Sequence, residues 1–126
     1  MSTVQAEYAS KIRQAISNGI SFIDQIVNDQ KAESKKVEQT LWHAAEETEY
    51  AAAVLSLTHG LADFDPELKR DDLQRAGMDK RLSFARALLA DGLDLLQSNP
   101  TLCYEKLRYA VQVLRRIQSE KSRRPR

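Results

Sequence analysis

The chain has 126 residues, 42% hydrophobic and 29% charged, with a formal net charge of +1 and a single cysteine. That length fits one domain whose core needs no metal or disulfide staple, and one cysteine excludes an intrachain disulfide. No apolar run approaches the roughly 18 residues of a membrane span, and the start MSTVQAEYASK lacks a secretion-signal pattern, so a cytoplasmic protein that does not meet the membrane is expected.

Apolar residues recur at helical spacing from the start. Val4, Tyr8, Ile12, Ala15, Ile16, Ile20, Ile23, Ile26 and Val27 form the first stripe, which Ser2 or Thr3 can cap. Its opposite face, with Ser10, Gln14, Ser17, Ser21 and Gln25, is polar and almost uncharged. Gly19 lies near the stripe and would admit a close neighbour. Some 27 residues at 1.5 Å each make a helix of about 40 Å, which outruns the other segments.

A second helix is expected after Ser34, with Val37, Leu41, Ala44, Thr48, Ala52, Leu55 and His59 on one face. Tyr50, Val54 and Leu57 add a second stripe, so this helix is expected to be a central element covered from two sides. Gly60 reads as its stop. Asp65-Pro66 reads as a cap and restart for a short helix carrying Leu68, Leu73 and Ala76 and ending at Gly77. A further helix runs from about Asp79 to Gln97 on an arc of leucines. Asn99-Pro100 repeats the restart, and the last helix carries Cys103, Tyr104, Leu107, Ala110, Val111, Leu114 and Ile117.

The expected fold is therefore all-α, an antiparallel bundle of four long helices plus one short connecting helix. Residues 1–121 make one helical-bundle domain, and residues 122–126 a frayed basic tail. Ile16, Leu41, Ala52, Leu55, Leu89, Leu107 and Leu114 sit centrally in their stripes and are expected in the core.

Chemistry-bearing patterns are sparse. His43, Glu47 and Tyr50 share one side of the stretch LWHAAEETEY, which is similar to a helix of ferritin-like bundles. Such bundles need repeated Glu and Glu-x-x-His ligands from several helices, and no second copy exists, so that function does not carry over. A helical metal or small-ligand protein around His43 and Glu47 ranks below a solvated i, i+4 pair beside a boundary tyrosine. The acidic stretch DFDPEL lacks the glycine and glutamate of a calcium loop. Cys103, on an apolar face, reads as a buried structural thiol. No phosphate loop, nucleophile elbow or metalloprotease motif occurs, so neither an enzyme nor a cofactor is expected.

Charge is unevenly placed. Residues 106–126 carry eight basic residues and one glutamate, while residues 1–105 carry eleven basic and seventeen acidic residues. Arg108, Arg115, Arg116, Lys121, Arg123 and Arg124 are the candidate contacts for a nucleic-acid backbone or an acidic protein partner. Phe22, Trp42 and Phe64 are candidate interface aromatics. For Trp42 the favoured alternative is core on the doubly covered helix. The expected function is a non-enzymatic interaction module or small assembly subunit, self-associating because a long first helix leaves apolar turns that a second copy would bury. The alternative is a nucleic-acid-associated subunit.

Overall fold

The structure, a computed structural model, describes residues 3–29 and 33–122, with side chains over residues 6–29 and 33–121. Its elements are α1 (Thr3–Asn28), α2 (Ser34–His59), α3 (Asp71–Gln74), α4 (Met78–Leu95) and α5 (Pro100–Ser122). The four long helices pack as a ring in which α1 touches α2, α2 touches α5, α5 touches α4 and α4 closes on α1. This is the all-α bundle that the stripes require.

Tyr8, His59, Leu96 and Pro100 line one cleft, so the start of α1, the end of α2, the end of α4 and the start of α5 share one end of the ring. Ring neighbours are therefore antiparallel, and the diagonal pairs α1/α5 and α2/α4 run parallel. Since α2 and α4 run the same way, the connection between them must climb the whole bundle. Phe64 packs on Tyr104, with ring centroids 6.0 Å apart. Farther up, Gln112 accepts from Leu68 N at 2.8 Å and donates to Pro66 O at 2.8 Å. At the far end Arg116 donates to Gln74.

The crossover corrects the reading of Asp65-Pro66 as a helix start. Residues 64–70 form neither helix nor strand, and the only helix there is the single turn Asp71–Gln74. The segment must span the bundle, and Gln112 takes up its backbone groups where a helix would have used them internally. Asn99-Pro100 behaves as read: Asn99 Oδ1 accepts from Leu102 N at 3.1 Å, and α5 begins at Pro100. Gly60 closes α2 in the left-handed region, at φ 63°, while Leu61 N donates back to Ser56 O at 3.0 Å.

The core lies inside the ring. Ile16, Leu41, Leu55, Leu89, Leu107 and Leu114 are fully buried and Ala52 nearly so. The polar side chains Thr48 and Cys103 sit among them, and Thr48 Oγ1 is satisfied by Ala44 O at 2.8 Å. Gly19 is the close-approach point: a Cβ there would stand 3.1 Å from Thr48 Oγ1 and 3.2 Å from Leu89 Cδ1. Each ring edge carries a polar clamp outside this core. Asn18 donates to Glu47 between α1 and α2, Arg115 bonds Glu46 and Glu49 between α5 and α2, Arg81 bonds Glu120 between α4 and α5, and Arg86 bonds Asp24 between α4 and α1.

Two expectations about length and cover need correction. At 26 residues α2 equals α1, so α1 does not outrun its neighbour, and Ile26 is only 6% exposed. The stripe of α1 does open at its ends, at Tyr8 and Val27, whereas the side chain of Val4 lies outside the described residues. Nor is α2 covered from two sides. It is a ring member, flanked by α1 and α5, and nothing among the described residues covers its outer face. His59, placed on the inner stripe by spacing, is exposed at the end of the helix.

Candidate interaction surface

A helix in a four-membered ring buries the face turned to the core and the flanks turned to its two neighbours. The remainder of α2 faces outward, and the second apolar stripe lies there. Leu57 is 84% exposed, Tyr50 48% and Trp42 45%, with exposed Ala53 and half-buried Val54 between them. Trp42 is thus a surface residue and not core. The exposed glutamate Glu46 interrupts the stripe, and Gln39 precedes it.

On the α1 flank, the Phe22 and His43 rings stack at 5.4 Å, and Trp42 meets His43 edge-on at 5.1 Å. The three rings form one continuous aromatic step from the α1–α2 seam onto the outer face. Glu47 accepts from Asn18 Nδ2 at 3.1 Å, and Asn18 in turn accepts from Gln14. His43 and Glu47 therefore do not act as the i, i+4 pair suggested by spacing; each is engaged with α1. Tyr50 lies farther out, in solvent. Among the described residues no group of three or more His, Cys, Asp or Glu side chains is arranged to hold a metal ion.

On the α5 flank lies a shallow cleft bordered by Ala52, Ala53, Leu57, Tyr104 and Arg108. Arg115 closes its upper end: Nε donates to Glu49 at 2.8 Å, Nη2 to Glu46 at 2.7 Å and Nη1 to Gln118. Bonding to Arg115 holds the Glu49 carboxyl below the usual glutamate range despite partial burial. Arg108 is half-buried, and its Nε is buried without a hydrogen-bond partner. Glu46, Glu49, Arg108 and Arg115 together leave this flank without net charge.

The basic strip of α5 is thus largely engaged within the fold. Arg116 donates to Glu120 and Gln74. Lys121 is half-buried, and Arg123 and Arg124 lie outside the described residues. Phe64 sits at the foot of the crossover against Tyr104. Sequence reasoning named Trp42 and Tyr50 but passed over Leu57 and Ala53 as surface residues. Their signal was the second stripe itself, which spacing shows but cannot assign to core or surface. Cys103 is buried, and burial pushes its thiol up to about 12.

Comparison with known protein families, curated proteins and solved structures finds no match to this chain.

Proposed function

We propose that this chain is a non-enzymatic helical interaction module that self-associates through the outer face of α2. The observation that carries the reading is the exposure of Leu57, Tyr50 and Trp42 on the outer side of one helix whose inner face already completes a core. Exposed large apolar side chains are costly to leave in water, at about 25 cal/mol per Å², and a docked partner removes that cost. The nucleic-acid alternative has less support, because Arg115 and Arg116 already spend their donors on internal carboxylates and amides.

Sedimentation equilibrium at micromolar concentration tests the reading. The wild-type chain is expected as a dimer, and Leu57→Glu as a 14.3 kDa monomer with unchanged helical circular dichroism. A wild-type monomer over the accessible concentration range would overturn the proposal.

A further inference from the structure

Resting on that reading, we infer that the occupant of this face is a second copy of the chain, with the two α2 helices antiparallel about a two-fold axis passing between Glu49 and Tyr50. The spacing of the exposed side chains sets the register. Trp42, Tyr50 and Leu57 are eight and seven residues apart, so along the helix axis Tyr50 lies near the midpoint of the three. A two-fold rotation across α2 then sets Trp42 against the partner's Leu57 and the two Tyr50 rings beside each other. An isologous contact requires this kind of self-complementarity. Ala53, close to the centre, is small enough to let the two helix backbones approach to the usual distance of about 8–10 Å.

Charge favours antiparallel over parallel pairing. In a parallel pair Glu46 and Glu49 of each copy would meet their own counterparts at the same level. In the antiparallel pair Glu46 lies across from the partner's Ala53. Arg108 borders Ala52, Ala53 and Ser56, about one turn below the axis, so the rotation lifts the partner's Arg108 to the level of Glu46. The partner's Arg108 thereby adds a second cation beside the Glu46 carboxylate that Arg115 already holds within its own copy.

Site-directed disulfide trapping tests the register and leaves Trp42, Tyr50 and Leu57 intact. Two full-length variants, Glu46→Cys and Ala53→Cys, are mixed at a concentration where sedimentation shows dimers, then oxidised. Native Cys103 stays silent because it is buried and its thiol is pushed up to about 12. The expected product is the mixed disulfide joining position 46 of one copy to position 53 of the other. It should exceed either homodisulfide at least tenfold, because in this register positions 46 and 53 face each other while like positions stand about 10 Å apart along the axis. Dominant homodisulfides would overturn the antiparallel register. A dimer that yields no cross-link would place the contact elsewhere and overturn the register too. Both results leave self-association standing, whereas a monomer at all concentrations overturns the inference and the reading beneath it.

Discussion

Arg81 of α4 and Glu120 of α5 form a two-pronged pair, with Nη1 to Oε2 at 2.9 Å and Nη2 to Oε1 at 3.0 Å. Arg81 is only 8% exposed, and its Nε is buried without a partner. The pair holds together the end of the bundle where the crossover arrives.

Its two halves should not cost the same to remove. Glu120→Gln strands a buried guanidinium and is expected to lose about 2 kcal/mol in urea unfolding. Arg81→Met removes the buried charge itself and fills part of the space with apolar volume, so its loss should be smaller. Equal losses would mean that the pair acts only through packing.

Acid should weaken the fold. Bonding to Arg81 holds the Glu120 carboxyl below its ordinary value, and bonding to Arg115 does the same for Glu49. Asp72, bonded to Arg70, falls to about 2. Carboxylates with lowered folded values contribute stability above their unfolded pKa and lose it as pH falls through the folded value. Denaturation midpoints should hold from neutral pH to about 5 and then fall towards about 2. In Glu49→Gln the drop should be shallower; an unchanged profile would remove Glu49 from the account.

Gly19 should resist enlargement. Gly→Ala within a helix normally gains up to about 1 kcal/mol. Here the added methyl meets Thr48 Oγ1, which is fixed by its bond to Ala44 O, and the buried Leu89. Gly19→Val is expected to lose about 1–3 kcal/mol through overpacking. A stabilised Gly19→Val would show that α1 shifts freely against α2 and α4.

Leu55 is fully buried on the inner face of α2, so Leu55→Ala should cost about 2–5 kcal/mol. The exposed neighbour on the same helix gives the control: Leu57→Ala should change monomer stability by less than about 0.5 kcal/mol. Calorimetry on dilute protein checks both.

The inner faces were legible because a 3.6-residue period with bulky residues has one stable use in a bundle. Ile16, Leu89 and Leu114 are buried for that reason. The same period misled at Tyr50, Val54 and Leu57, because periodicity states that residues share a side and is silent on what meets that side. Tertiary partners decide it, and α2 packs mainly on α1 and α5. Asp65-Pro66 misled for a related reason. Its local signal is sound, but the chain must cross the bundle between residues 61 and 77, and a non-helical strap covers that length where a helix at 1.5 Å per residue would not. The arginines of α5 looked available because their partners Glu46, Glu49 and Gln74 are distant in sequence.

The crossover divides the molecule into two helical hairpins, α1–α2 and α4–α5, each joined by only a few residues of sequence, while every contact between the hairpins joins residues remote along the chain. The lower part of the strap, with Ala62, Asp63 and Asp65 exposed, is the natural cutting place. The upper part is held on α5 by Gln112 and Arg116 and would stay with the second hairpin. A protease nick near Asp63 should therefore yield two fragments that remain together as a noncovalent complex, so the protein can be produced as two separately expressed halves that reconstitute on mixing.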